Sequence, residues 1–240
     1  MTQPVVLAGS PRRLSGGTVS YTNPALEVGG ASVAAGMEMH VILKSNPASV
    51  TRVDIVAEDG AGSPVSLTFS AIDAIYNPGN GFPMLRGWKY KFTGTEVFPL
   101  SLTNADGGSA VYDCFVVSGQ RATASTEGWV GAPKSISTSP IVAASIAATD
   151  ADSLKICSFG TDGGSSYAPP STPSSTVIVD GTTGPAGWCT TAYRGLAASG
   201  ASGTTSFPLA TADGGNVVSY AIRPAATAGG GTAAVAWFVA

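Results

Sequence analysis

From Met37 the chain alternates: Met37, Met39, Val41 and Leu43 are separated by Glu38, His40, Ile42 and Lys44. A period of two over that length predicts a strand with one face on a core and a largely polar face toward water. Val53 and Ile55 follow, then Val65, Leu67, Phe69 and Ala71, each a short alternating run closed by Gly, Pro or Asn. Ile141 to Ile146, Leu154 to Phe159 and Thr176 to Val179 are strand-sized as well. Residues 76–83 and 162–175 are rich in Gly, Pro, Asn and Ser and read as surface loops. With 31 glycines and 16 prolines among 240 residues, long helices are excluded, and the pattern is all-β.

The chain also repeats itself. Residues 98–108 read Phe-Pro-Leu-Ser-Leu-Thr-Asn-Ala-Asp-Gly-Gly, and residues 207–215 read Phe-Pro-Leu-Ala-Thr-Ala-Asp-Gly-Gly. An apolar strand follows each copy, and a Gly-Trp precedes each, at Gly87-Trp88 and Gly187-Trp188. The ordered set predicts two related halves joined in one sandwich. Asp106 and Asp213 are expected in tight turns, where the following glycines take positive φ without steric cost. Trp88 and Trp188 are expected to anchor strand starts, and each Phe-Pro-Leu to pin an edge.

Charge narrows the partners. Net charge is −3 and charged residues make up only 11%, with no basic run or stripe. Nucleic acid and anionic membrane surfaces both select clustered Lys and Arg, so neither is an expected partner. No stretch approaches the length of a membrane span, and Met1-Thr-Gln-Pro-Val-Val-Leu has no basic region or apolar run of a secretory leader. Synthesis in the cytoplasm is expected. Cys114, Cys157 and Cys189 are an odd, widely spaced set and read as small buried hydrophobes.

Catalytic chemistry finds few candidates. His40 is the single histidine, and its place on the polar positions of an alternating strand reads as solvated. Asp150 and Asp152 precede Leu154 as a turn in preference to a Ca²⁺ site or a carboxylate pair. No metal, cofactor or enzymatic activity is expected. Tyr76, Phe82, Trp129 and Tyr167 fall in expected loops and are the candidates for ligand or partner contact. Trp129 otherwise plugs the sandwich end where the halves join.

Particular turns and strand ends carry a resemblance. Arg86-Gly87-Trp88, Val116-Val117-Ser118-Gly119, Thr149 to Leu154, Pro185-Ala186-Gly187-Trp188 and Ala221-Ile222-Arg223-Pro224-Ala225 are the places concerned. Across about residues 20–225 the chain resembles Ala/Gly-rich, jelly-roll-like β-sandwich modules of tailed-phage virion proteins and some bacterial surface proteins. The first Gly-Trp lacks the Pro that such modules place two residues before the Gly. The resemblance implies an all-β, jelly-roll-like antiparallel β-sandwich with internal duplication, and it carries no catalytic signature. It implies a non-enzymatic structural protein located in the virion, decorating a capsid or forming part of a head fibre or tail appendage. Capsid or tail proteins would be its partners, and homo-oligomerisation is expected from that setting. The alternative is an adhesin or carbohydrate-binding module that contacts a host surface glycan.

The expected organisation is an arm at 1–18, a sandwich at 19–227 with halves at 19–120 and 130–227, and a tail at 228–240. In the tail a glycine hinge precedes the apolar run Ala233 to Ala240. That run, with Val235, Trp237, Phe238 and Val239, either folds back as an edge strand or is donated to a neighbouring subunit.

Overall fold

A computed structural model describes residues 2–7, 10–22, 33–45, 55–61, 65–72, 84–104, 110–137, 140–161, 176–179, 189–208 and 212–226. Among these, every regular element is a β-strand. The first half supplies β1 (Val5–Val6), β2 (Arg12–Gly16), β3 (Thr18–Tyr21), β4 (Glu38–Ser45) and β5 (Ile55–Glu58). It continues with β6 (Ser66–Leu67), β7 (Ser70–Ala71), β8 (Met84–Lys91), β9 (Leu100–Asn104) and β10 (Ala110–Ser118). The second half supplies β11 (Thr126–Ser137), β12 (Ile141–Ala143), β13 (Ala147–Ala148), β14 (Ser153–Thr161) and β15 (Thr176–Val179). It ends with β16 (Cys189–Leu196), β17 (Gly200–Ala201), β18 (Thr205–Phe207) and β19 (Asp213–Ile222). All the pairings are antiparallel.

The repeat seen in the sequence reappears as topology. In the first half the large sheet runs β2-β10-β4-β8-β7, with β1 also on β10, and in the second it runs β11-β19-β14-β16-β15. Smaller sheets accompany each: β3-β9-β5-β6 in the first half, and the pairs β12-β18 and β13-β17 in the second. Strands β2, β3, β4, β7, β8, β9 and β10 therefore hold the places that β11, β12, β14, β15, β16, β18 and β19 hold in the second half.

Side-chain alternation stacks these sheets in four layers. On β4 the odd positions Met39, Val41 and Leu43 join Tyr112, Cys114 and Val116 of β10 and Trp88 of β8, facing Val19, Tyr21, Leu100 and Leu102 of the small sheet. The even position Ile42 joins Phe115 and Val117 on the opposite face, against Leu154, Ile156, Tyr220 and Ile222 of the second half. Beyond these, Cys157, Phe159, Ala192 and Val217 pack on Ile141, Ala143 and Phe207. The two halves thus meet back to back through their large sheets. Each fully buried side chain of Leu or Ile size in these layers contributes about 1.5–3 kcal/mol by leaving water.

Four expectations change. Strand β4 is not half-solvated: all eight of its residues are buried, because its polar face is covered by the second half. Residues 1–18 are not only a lead-in arm, since β1 and β2 pair with β10 while Leu14 packs on the first core. The run from Val65 to Ala71 is two strands, β6 in the small sheet and β7 in the large one, so the chain crosses between layers there. Asp213 opens β19 opposite Ser137 instead of sitting in a turn. A Cβ on Gly215 would lie 2.3 Å from the Gly160 carbonyl oxygen, so that glycine serves close strand approach. The copy at Asp106 lies outside the described residues. Trp88 is buried but lies in the middle of β8 and not at a strand start, while Cys114 and Cys157 are buried free thiols, as expected.

Candidate functional site

The charged residues of β4 and β10 alternate toward the second half, so strand geometry alone brings them into the seam between the large sheets. Asp113 is fully buried there. Arg13 of β2 donates to it through Nε (2.7 Å to Oδ1) and Nη2 (2.8 Å to Oδ2), a bidentate pair. Lys44 of β4, itself fully buried, donates to the same carboxylate. From across the seam Thr191 Oγ1 donates at 2.6 Å, and Ser158 Oγ lies 2.7 Å from that hydroxyl. Burial alone would raise the Asp113 pKa, but Lys44 and Arg13 outweigh it and hold the carboxyl well below its ordinary range.

A second cluster sits along the same strand. His40 stacks between Phe115 (ring centroids 5.3 Å apart, 12°) and Tyr220 of the other half (5.9 Å, 11°). Its Nδ1 is 3.1 Å from Tyr220 Oη, and its Nε2 is 3.5 Å from Glu38 Oε2 with no hydrogen-bond partner among the described residues. The Nε2 atom faces a carboxylate, which favours the tautomer with its proton there and Nδ1 accepting from the tyrosine hydroxyl. Ser125 Oγ donates to Glu38 Oε2 at 2.7 Å, and Lys89 Nζ donates to Ser125 Oγ at 2.7 Å and Thr126 Oγ1 at 3.1 Å. Burial pushes the His40 pKa down, more strongly than Glu38 raises it, so the ring is neutral near pH 7. Burial acts to raise the Glu38 pKa, but His40, Ser125 and Lys89 together bring it below its usual value. With His40 neutral, Ser125 and Lys89 are the partners that keep Glu38 ionised.

This overturns the solvated reading of His40, which has no accessible surface. A His–Glu pair next to a tyrosine hydroxyl has the parts of a proton relay, yet a sealed relay reaches no substrate. Its effect is to tie one half to the other. The signal available in the sequence was Asp113, a lone carboxylate inside Val-Tyr-Asp-Cys-Phe-Val-Val. An acid there needs buried cations.

Of the candidate contact residues, only Trp129 is described, and it is not in a loop. It lies on β11, half-buried, with its ring 5.6 Å from that of Tyr220 and packed over Gly87. Trp129 therefore packs between the halves, on a strand of the second large sheet. Tyr76, Phe82 and Tyr167 lie outside the described residues, as do Val235, Trp237, Phe238 and Val239.

Two surface features complete the survey. Asp150 lies in the turn before β14, where Asp152 has φ 61°. It accepts from Arg121 Nη2 at 2.8 Å and Arg223 Nε at 2.6 Å, so the resemblance's Arg223 and Asp150 brace each other. A recess of about 450 Å³ is lined by Asp59, Leu67, Tyr90, Thr93, Thr95 and Glu96, among others. Its Tyr90 ring is stacked by Phe69, which packs on the first core, and Glu96 Oε1 accepts from Tyr90 Oη, the Thr93 amide and the Thr93 hydroxyl, each at 2.7 Å. Against the upward push of burial, these bonds lower the Glu96 pKa to about 2. Among the described residues no group of His, Cys, Asp or Glu is arranged to hold a metal ion. No protein-family model and no curated protein matches the chain.

Proposed function

We propose that this chain is a non-enzymatic structural protein of a tailed-phage virion, a capsid decoration, head-fibre or tail-associated module. The observation that supports it is the strand order of the first half. Facing sheets run β2-β10-β4-β8 and β3-β9-β5-β6, and the chain alternates between them as the strands of a jelly roll do. The second half repeats the places of the large sheet and of β3 and β9. Jelly rolls serve in viral capsid and lectin domains, and a fold argues function only by analogy. The resemblance at Arg86 to Trp88 and Ala221 to Ala225 points to the capsid side of that pair. In this reading the buried seam makes two modules one block, and exposed edges and loops dock on neighbouring virion proteins or copies of the chain. Immunogold labelling of particles purified from an induced lysate, with antiserum against the full chain, tests it. Label on particles is the expected result, and label confined to the soluble fraction overturns it.

One observation favours a second reading, glycan binding. The recess combines the Tyr90 ring with hydroxyls of Thr93 and Thr95 and the carboxylate of Asp59, the mixture a sugar's faces and edges require. Saturable binding on a glycan array, lost in Tyr90→Ala and retained in Trp129→Phe, would establish it. An array blank with the full chain removes it.

A further inference from the structure

The seam between the halves is held partly by a histidine that closure leaves half-satisfied. His40 is the one histidine in the chain and lies in the surface through which the large sheets meet, against Tyr220 of the other half. Its neighbours come from every element around it. Glu38 lies on its own strand, Lys89 is its register partner on β8, and Phe115 is its partner on β10. Tyr220 faces it from β19, Ser125 and Thr126 close the end beside Glu38, and Ile156 of β14 is apolar.

A protonated imidazole needs two acceptors. Among the described residues only Nδ1 has a group within hydrogen-bond reach, the Tyr220 hydroxyl, which must turn its own proton away to accept. The Nε2 atom has only the Glu38 carboxylate at 3.5 Å, already bonded by Ser125, and Lys89 adds a second cation nearby. Stacking between two rings seals out water that could otherwise solvate the charge. An opened seam carries none of these penalties.

We propose that the seam is an acid-sensitive clasp, in which proton uptake by His40 favours separation of the two large sheets. The direction follows from linkage. The closed state holds His40 below its ordinary value of 6.5, so the histidine's contribution is fully present above about pH 6.5 and is lost as pH falls below it. Glu38 acts in the same direction but lower, below its ordinary 4.5, so the range between about pH 6.5 and about pH 5 reports His40. The clasp does not depend on the virion reading, because it concerns how the halves are held whatever they dock on.

A single histidine makes the test direct, since one ring resonance reports on one residue. The full chain is titrated from about pH 7.5 to about pH 5. The His40 ring carbon–proton peak and amide hydrogen exchange in β4, β10, β14 and β19 are followed, with exchange corrected for its intrinsic pH dependence. The expected result is a ring that stays neutral through pH 6.5, then protonates together with loss of seam protection. That loss approaches about tenfold per pH unit once the open state alone binds the proton. His40→Gln and His40→Phe, the second keeping a stacked ring, are expected to abolish the acid-dependent loss. A ring that titrates near 6.5 with seam protection unchanged overturns the proposal. So does the same acid-dependent loss in whichever of the two variants folds.

Discussion

The indole of Trp129 occupies the space that a side chain on Gly87 would take: a Cβ built on Gly87 lies 2.8 Å from Trp129 Cζ3 and 3.1 Å from Ile72 Cδ1. Gly87 does not adopt a positive φ, so its lack of a side chain serves packing between halves and not backbone conformation. Gly87→Ala is therefore expected to push the indole off the sheet and to destabilise the chain by about 1–3 kcal/mol, as overpacking does. Trp129→Leu alone opens a cavity and also destabilises. The double variant should lose less than the sum of the two, by about 0.5–3 kcal/mol of coupling. Urea unfolding of the four proteins measures this, and strictly additive losses would refute the packing role.

Asp113 joins two cations in a sealed layer, and this predicts an asymmetry between its partners. Asp113→Ala strands Lys44 and Arg13 together and should cost about 3–5 kcal/mol. Lys44→Met leaves the bidentate Arg13–Asp113 pair intact and replaces an ammonium by an apolar chain of similar length, so it should cost far less. Acid adds a second signature. The Asp113 carboxyl is held below its ordinary 3.8, so its stabilisation is present above about pH 4 and disappears only as pH falls further. Denaturant midpoints for both variants, followed down to about pH 2, check the order and the sign.

The polar half of this interior explains what the sequence conceals. The alternation at Met37 to Leu43 places β4 correctly, and the sequence repeat agrees with the matching strand orders of the two large sheets, although Gly187-Trp188 lies outside the described residues. Alternation cannot say what covers the polar face. Glu38, His40 and Lys44 look like a solvated edge until Asp113, Arg13, Tyr220 and Ser125 are brought opposite them, from positions up to 180 residues away. Likewise the apolar positions 65, 67, 69 and 71 keep a period of two through the crossing from one sheet to the other, so periodicity alone joins β6 to β7. Trp129 looks like a loop residue because glycines flank it. Gly128, with φ 73°, marks a bulge in β11 that turns the indole toward the seam.

Gly215 predicts a loss that no second-site change repairs. Its missing Cβ faces the backbone of Gly160, with the carbonyl oxygen 2.3 Å and the carbonyl carbon 3.1 Å from where a Cβ would stand. Backbone on a paired strand cannot rotate away as an indole can. Gly215→Ala should therefore exceed the cost of Gly87→Ala, disrupting β14–β19 pairing at Gly160 and Thr161. Hydrogen exchange localised to those strands is the measurement, and a loss smaller than that of Gly87→Ala would contradict the close-approach reading.

The C-terminal run tests whether a strand is folded back or donated between copies of the chain. Residues 233–240, Ala-Ala-Val-Ala-Trp-Phe-Val-Ala, are apolar and follow three consecutive glycines at 229–231. A strand that folds back on its own chain adds to the stability of the monomer, whereas a donated strand adds only to the assembly. Deleting 229–240 separates these outcomes. Under donation, light scattering shows a smaller species while the unfolding midpoint of the dilute chain is unchanged. Under fold-back, the midpoint falls and the mass per particle drops only by the deleted residues. Trp237→Ser in the full chain adds a graded version, because it removes the largest apolar surface in the run without shortening it. A deletion that leaves both the number of chains per particle and the midpoint unchanged excludes this segment from either role.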